Sequence, residues 1–180
     1  MTVTMHDTTI YIANTQPYTG SHYTAFVLYC DKQGVVYKTA FSHMQPADYT
    51  MQTAGDTVAD QQHPYVAAVR AYCAGDCTAL DVIPHQSRTA MTPFQQAVYR
   101  AMNSIPFGQV RSYKELAVAA DYPGAARAVG TVCKNNPLAL LVPCHRVVPA
   151  TGGCGNYIYG TELKQQLLRI EGYSGSQLPL

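Results

Sequence analysis

The sequence is poor in charge and contains no long apolar run. Charged residues make up 13% of its 180 residues, and the formal net charge is +1. No stretch of about 18 apolar residues occurs, so no segment is expected to span a membrane. No basic segment followed by an apolar one opens the chain, so no secretory signal is expected. The six cysteines are therefore predicted to be reduced thiols in the cytosol.

The few charges are unevenly distributed along the chain. Residues 1–89 carry four basic and seven acidic side chains, a net charge of −3, whereas residues 90–180 carry eight basic and four acidic ones, a net charge of +4. The second half could therefore meet a nucleic acid, although +4 is a modest field and scattered solvated charge explains it equally well.

The first half carries strand signals followed by one helix. Residues 8–13, 23–30 and 35–41 are β-prone, and a Gly-containing turn at 31–34 joins the last two into a hairpin. A helix is predicted from Pro64 to about Gly75. Because residues 76–91 resemble a linker, we predict an α/β domain over 1–88 and a second domain over 89–180.

The second half is predicted to consist of short helices. Thr92-Pro93-Phe94-Gln95 and Ser112-Tyr113-Lys114-Glu115 are capping-box patterns that each open a helix. Residues 125–134 and 161–171 follow as further helices. The pair around the turn Asp121-Tyr122-Pro123-Gly124 resembles a helix-turn-helix, although most such hairpins only pack a core.

Cys144 and His145 are consecutive in an apolar stretch that contains Pro143. A thiol attacks as the thiolate, so a reactive cysteine needs a base, a cation or a helix N-terminus close by. His145 could act as that base if an acceptor on its second ring nitrogen fixed its tautomer, and Glu171 is a candidate acceptor. A buried structural thiol is the competing interpretation.

The other cysteines favour plainer interpretations. Cys73 and Cys77, with two histidines in range, have too loose a spacing for a zinc site, and no metal is predicted. Cys133 is interpreted as a packed side chain. Cys154 lies close to Cys144 in sequence, and a disulfide between the two would inactivate the protein if they met.

Several short motifs lie within about residues 92–172, and their order and spacing match those of one known protein family. They are Ile105-Pro106-Phe107-Gly108-Gln109-Val110, Ser112-Tyr113, Ala125-Ala126-Arg127-Ala128-Val129-Gly130, Asn136-Pro137, Pro143-Cys144-His145-Arg146-Val147, Gly160 and Leu167-Leu168-Arg169-Ile170-Glu171-Gly172. Together they resemble the O6-alkylguanine-DNA alkyltransferases, the methylated-DNA–protein-cysteine methyltransferases. Over the first 90 residues the resemblance is only architectural.

The resemblance implies an α+β fold. Its first domain would be a small antiparallel sheet with a helix, ribonuclease-H-like, that supports the second. The second would be an all-helical, winged helix-turn-helix-like domain that binds the DNA minor groove. It also implies single-turnover repair, in which O6-alkylguanine is flipped from duplex DNA and its alkyl group moves irreversibly to the cysteine. O4-alkylthymine is a further candidate substrate. The family implies no cofactor, no membrane, a monomer, and a cytoplasmic protein, on the nucleoid in a prokaryote or in the nucleus of a eukaryote.

The resemblance also assigns roles to residues. In catalysis, Cys144 would accept the alkyl group, His145 would be the base, Glu171 would orient it, Asn136 would hold the thiol network, and Tyr113 would stabilise the guanine leaving group. Arg127 would replace the extruded base in the stack. The remaining assigned residues contact DNA (Ser112, Tyr113, Ala126 and Gly130) or line the base pocket (Val147, Tyr157, Ile158 and Tyr159).

Two other functions stay open at this point. Alkyltransferase-like proteins bind lesions without transfer, but they lack the cysteine that this chain has at position 144. A cysteine hydrolase could use Cys144, His145 and Glu171, but it would need an oxyanion hole and would leave Tyr113 and Arg127 unexplained.

Overall fold

The computed structural model describes residues 9–14, 25–43, 57–58 and 62–173, and the chain divides into two compact units, Met1–Arg88 and Thr89–Leu180. The strands are β1 (Thr9–Asn14), β2 (Ala25–Cys30), β3 (Val36–Ser42), β4 (Thr57–Val58), β5 (Arg111–Ser112) and β6 (Val147–Val148). The α-helices are α1 (Pro64–Cys73), α2 (Pro93–Asn103), α3 (Tyr113–Ala119), α4 (Ala126–Lys134) and α5 (Thr161–Ile170). Short 3₁₀ helices span Ala79–Val82 and Cys144–Arg146.

The first unit contains a four-stranded sheet in the order β3-β2-β1-β4. β1 and β3 both pair antiparallel with β2, as the strand signals predict, while β4 pairs parallel with β1. The predicted hairpin turn is present, since the Asp31 carboxylate accepts hydrogen bonds from the amides of Gln33 and Val35. Parts of two predicted strands, residues 8 and 23–24, lie outside the described residues.

Helix α1 packs on β1 in the same unit. Pro64 occupies its first turn, and the His63 side chain caps it by accepting from the Tyr65 amide at 3.2 Å. Its buried face presents Val66, Val69 and Tyr72. The sheet and this helix make the unit α/β, and its core consists of apolar side chains that leave water on folding.

The helices of the second unit begin where the capping patterns predict. Thr92 and Gln95 form a complete capping box at the start of α2, and Ser112 and Glu115 form another at the start of α3. In each box a side chain satisfies an amide that the first turn leaves without a partner. Apolar residues from all four helices fill the core, among them Met102, Leu116, Val129, Leu163 and Leu167.

The prediction that this unit is all-helical is wrong in one respect. β5 and β6 pair in parallel, Arg111 with Val147 and Ser112 with Val148. Strands of two residues are too short to show an alternating pattern, so they could not be predicted from periodicity. The pairing holds the chain just after Cys144 beside the start of α3. No helix within the described ranges is long and apolar enough to cross a bilayer.

Candidate active site

Cys144 lies in the short 3₁₀ helix between Pro143 and β6, and 4% of its surface is exposed. Its side chain lines a cavity of about 360 Å³ at the surface of the second unit. The predicted site residues Tyr113, Gly130, Tyr157 and Ile158 line the same cavity. The other lining residues are Cys133, Lys134 and Asn156. The structure therefore brings residues from three other segments of the chain around one thiol.

The Asn136 side chain holds the cysteine loop. Its Nδ2 donates to the Val142 carbonyl at 2.8 Å and lies 3.2 Å from Cys144 Sγ. Its Oδ1 accepts from the Leu138 amide at 3.0 Å and from the Tyr99 hydroxyl at 3.1 Å. Because the oxygen is committed to two donors, the amide can present only N–H groups to the sulfur.

We expect Asn136→Ala to destabilise the protein by at least about 2 kcal/mol, because buried carbonyl, amide and hydroxyl groups would each lose a partner. The thiol should also ionise at higher pH without the amide. Urea unfolding and the pH dependence of Cys144 alkylation by iodoacetamide measure the two effects. Asn135→Ala, at the exposed neighbouring position, is the control. Equal losses in both variants would contradict the assignment.

His145 and Arg146 share the Glu171 carboxylate. His145 Nε2 lies 2.8 Å from Glu171 Oε1, and Arg146 reaches both carboxylate oxygens, at 2.8 and 2.9 Å. Arg146 also donates to the Ile105 carbonyl at 2.7 Å. Burial raises the pKa of Glu171, but the hydrogen bonds and charges of His145 and Arg146 outweigh it and bring that pKa to about 2. Glu171 is therefore an anion at neutral pH.

Gly108, which lies in the motif at residues 105–110, contacts the same Glu171 carboxylate. Its amide donates to Glu171 Oε2 at 3.3 Å, and its backbone has φ +76°. A Cβ at this position would lie 2.7 Å from the Glu171 carbonyl oxygen. Both the close approach and the left-handed conformation require glycine.

His145 is neutral in this arrangement. Burial lowers the pKa of His145 below its ordinary value, and the positive charges of Arg146 and Lys164 lower it further. Glu171 raises the pKa but does not outweigh these effects. Because the Glu171 carboxylate is ionised, His145 Nε2 donates to it. The lone pair then resides on Nδ1, the nitrogen that can accept a proton.

The Cys144 thiol is buried among groups that favour its ionised form. Burial raises the pKa of the thiol above its ordinary value, and the Asn136 amide, the Lys164 charge and the nearby Tyr157 hydroxyl offset part of that rise. Burial and the neighbouring thiols raise the pKa of Tyr113 to about 12, so its hydroxyl keeps its proton at neutral pH and can donate it. One wall of the cavity thus carries a thiol and another carries a protonated phenol.

The other residues predicted for the site are not among those that line the cavity. Arg127 is exposed in the first turn of α4, and Ala126 precedes it, half-buried. Ser112 is the buried cap of α3. Val147 and Tyr159 are not among the lining residues: the Val147 carbonyl accepts from Lys164, and Tyr159 packs edge-on against Tyr157 at 5.7 Å between ring centroids.

Lys164 is a buried residue beside the site that sequence reasoning missed. It lies on α5 with 0% of its surface exposed, and its Nζ donates to the Val147 carbonyl at 2.5 Å. The signal was available, because position 164 shares the apolar face of α5 with Leu167 and Leu168, where a solvated lysine would not lie. Within the described residues, no three His, Cys, Asp or Glu side chains lie close enough to hold a metal ion.

These contacts define a class of protein: one with a buried thiol that an amide holds at the wall of a cavity, followed in the chain by a histidine that pairs with a buried glutamate. A family model described as the DNA binding domain of 6-O-methylguanine DNA methyltransferase matches residues 93–173. The methylated-DNA–protein-cysteine methyltransferase of Mycolicibacterium paratuberculosis is 37% identical over 133 residues, 72% of this chain and 79% of that protein. The chain belongs to the O6-methylguanine-DNA methyltransferase family.

Two further comparisons agree with this assignment. The methylated-DNA–protein-cysteine methyltransferase of Shigella flexneri is 44% identical over 105 residues, which is 58% of this chain and 60% of that protein. A crystal structure of Mycobacterium tuberculosis OGT in complex with DNA is 31% identical, with a TM-score of 0.69 and 95% of each chain covered. The α+β fold of this chain is therefore the fold of solved family members.

Proposed function

We propose that the protein repairs DNA by moving the alkyl group of O6-alkylguanine to Cys144 in a single turnover. The observation that carries the proposal is the placement of Cys144 Sγ, held by Asn136 at 3.2 Å, in a cavity of about 360 Å³ that also contains the Tyr113 side chain. A cavity of this size suits a small-molecule group such as a flipped base. The family membership and the DNA-bound relative support the same activity.

The proposed transfer step needs a proton acceptor for the thiol and a proton donor for the guanine. His145 Nδ1 takes the proton from Cys144, directly or through one water, and the thiolate attacks the alkyl carbon. The new S–C bond forms as the C–O6 bond breaks, and negative charge develops on the guanine. Tyr113, whose pKa of about 12 keeps its proton in place at neutral pH, donates to that leaving group. The thioether product is not hydrolysed, so each molecule acts once.

The DNA contacts are assigned to α3 and α4. Arg127, exposed in the first turn of α4, would fill the stack that the flipped nucleotide leaves, with Ala126, Ser112 and Tyr113 at the backbone. An added Cβ at Gly130 would lie 3.8 Å from the Tyr113 ring, an ordinary contact. Internal packing therefore does not demand glycine there, and close approach of DNA would explain it. In this proposal α3 and α4 act as a winged helix-turn-helix.

The other assignments complete the proposal. Tyr157 and Ile158 would contact the flipped base, with Tyr159 supporting Tyr157 and Val147 offering backbone groups. Residues 1–88 would form a ribonuclease-H-like supporting domain, and residues 89–180 would bind DNA and carry out transfer. The protein would act as a monomer in the compartment that holds the DNA, without a cofactor.

Mass spectrometry after incubation with a duplex containing O6-methylguanine tests the proposal. We expect one methyl group per protein molecule, located on the Cys144 peptide, and no further turnover with excess duplex. Retained binding without an adduct would instead indicate a lesion-binding protein. Catalytic turnover of an ester would indicate a hydrolase, and either result would overturn the proposal.

Arg127→Ala should slow methyl transfer from duplex DNA by roughly 10- to 100-fold, because unstacking a base costs a few kcal/mol and Arg127 would offset part of that cost. The loss should be much smaller on single-stranded substrate, where the base is already unstacked. Single-turnover rates on both substrates measure the difference. Arg100→Ala removes one exposed charge from α2 and is the matched control. An equal loss on both substrates would contradict the stacking role.

A further inference from the structure

Tyr99 is a residue of α2 whose side chain reaches the segment that carries Cys144. The side chain is half-buried, and its hydroxyl lies 3.1 Å from Asn136 Oδ1, 37 positions further along the chain. The other end of the same Asn136 amide, Nδ2, lies 3.2 Å from Cys144 Sγ. One side-chain amide therefore connects the Tyr99 hydroxyl to the thiol.

The backbone fixes the direction of these hydrogen bonds. The Leu138 amide can only donate, and it meets Asn136 Oδ1 at 3.0 Å, while the Val142 carbonyl can only accept, and it meets Nδ2 at 2.8 Å. The Tyr99 hydroxyl meets the oxygen as well, so it donates its proton there. Because that proton is committed to Asn136, Tyr99 acts on the thiol through the amide and not as an acid or a base.

Tyr99 differs from the other partners of the Asn136 side chain in where it comes from. Among the described residues, the remaining hydrogen bonds of that side chain stay within residues 136–144, and the Val142 carbonyl there also accepts from the Cys144 amide at 2.8 Å. Such bonds shape the segment but do not hold it against the rest of the unit. Helix α2 contributes buried side chains to the core, so the Tyr99 hydroxyl ties Asn136 to that core.

The Tyr99 hydroxyl also changes how strongly the Asn136 amide donates. A hydroxyl that donates to an amide oxygen draws electron density away from the amide nitrogen, and hydrogen bonds in such a chain strengthen one another. The N–H group that faces Cys144 Sγ is then the better donor, and a donor stabilises a thiolate more than a thiol. Loss of the hydroxyl would leave the amide in contact with the Leu138 amide group but weaken this effect.

We propose that Tyr99 is a positioning residue that acts on the Cys144 thiol through Asn136. Its hydroxyl holds the Asn136 amide against Cys144 Sγ and strengthens the N–H group that favours the thiolate. Tyr99 is not among the residues that line the cavity, so it takes no part in binding the substrate. The bearing of this inference on methyl transfer rests on the proposed function, whereas the contacts themselves do not involve DNA.

Several other titratable groups surround the Cys144 thiol. They are Tyr113 on α3, Cys133 on α4, Lys164 on α5, Tyr157, and His145, which follows Cys144 in the chain. Tyr99→Phe keeps the aromatic ring and changes none of these groups. Burial raises the pKa of Tyr99, so its own titration does not enter the neutral range. A change in the Cys144 profile therefore reports the loss of the Tyr99 hydroxyl.

The experiment measures the rate of Cys144 carbamidomethylation by iodoacetamide against pH, by mass spectrometry of the Cys144 peptide in the full-length protein without DNA. We expect Tyr99→Phe to move the inflection to higher pH by about half a unit, a roughly threefold loss of rate below it. The two rates should converge above both inflections, where each thiol is fully ionised. A profile that coincides with the wild-type one, or an equal loss of rate at every pH, would overturn the inference.

Two further variants separate positioning from a general loss of stability, which thermal unfolding of each variant measures. Tyr65→Phe removes a hydroxyl that donates to the Gly34 carbonyl at 2.9 Å in the first unit, and it should lower the melting temperature without moving the Cys144 inflection. In an Asn136→Ala background, Tyr99→Phe should cause no further shift, because the amide through which it acts is gone. A shift caused by Tyr65→Phe, or a full shift in the Asn136→Ala background, would contradict the proposed route.

The measurement is independent of the repair activity. Because iodoacetamide replaces the DNA substrate, failure of methyl transfer in the wild-type protein would refute the proposed function and leave the profile of Cys144 intact. An unchanged profile in Tyr99→Phe beside normal methyl transfer in the wild-type protein would refute the role of Tyr99 alone.

Discussion

Cys144→Ser is expected to bind a duplex containing O6-methylguanine and to leave its methyl group in place. A serine hydroxyl fits the space and can accept from Asn136, but it ionises far less readily than a thiol. The rate of transfer should therefore fall by more than about a thousand-fold, the scale of loss seen when other enzymes lose their nucleophile. Gel-shift binding and loss of labelled methyl from the DNA measure the two properties separately.

Two other cysteines provide controls for this variant. Cys77 is exposed and Cys154 is buried outside the cavity lining, and neither is given a role in transfer. Cys77→Ser and Cys154→Ser should transfer the methyl group at the wild-type rate. Residual stoichiometric transfer by Cys144→Ser would show that another group accepts the alkyl group, and the assignment of Cys144 would be wrong.

The sequence predicted the elements whose signals are local. The capping boxes at Thr92 and Ser112 mark the starts of α2 and α3, because a cap is set by residues three apart in the chain. The hairpin turn at Asp31 is local for the same reason. β5 and β6 could not be predicted in this way, since their pairing depends on residues 36 positions apart, Arg111 and Val147.

For the site, the sequence indicated which residues take part but not the contacts that surround them. The family motifs indicated Cys144, His145 and Glu171, and the structure places His145 Nε2 2.8 Å from Glu171. The motifs did not show that Arg146 binds both oxygens of the same carboxylate. The positive charge of Arg146 lowers the pKa of His145. Nor did they show that Lys164 is buried and donates to the Val147 carbonyl, because that contact arises from tertiary packing of α5.

Glu171 links the site to the stability of the fold. Its pKa is about 2 in the folded protein against an ordinary value of 4.5, so the unfolded chain binds more protons between these values. The stabilisation is therefore fully present above about pH 4.5 and is lost as the pH falls toward 2. The shift corresponds to roughly 3 kcal/mol.

Glu171→Gln should lower the free energy of unfolding at neutral pH by roughly 3–5 kcal/mol, because Arg146 and His145 lose a buried partner charge. Transfer should slow by at least about 100-fold, since the amide no longer fixes the His145 tautomer that leaves Nδ1 free to accept a proton. Urea unfolding from pH 2 to 7 and single-turnover transfer measure both effects. The variant should also lose the wild-type decline in stability between about pH 4.5 and 2. Glu162→Gln, which changes an exposed carboxylate on α5, the helix that Glu171 follows, is the matched control. An acid-dependent decline in Glu171→Gln equal to that of the wild-type protein would contradict the assignment.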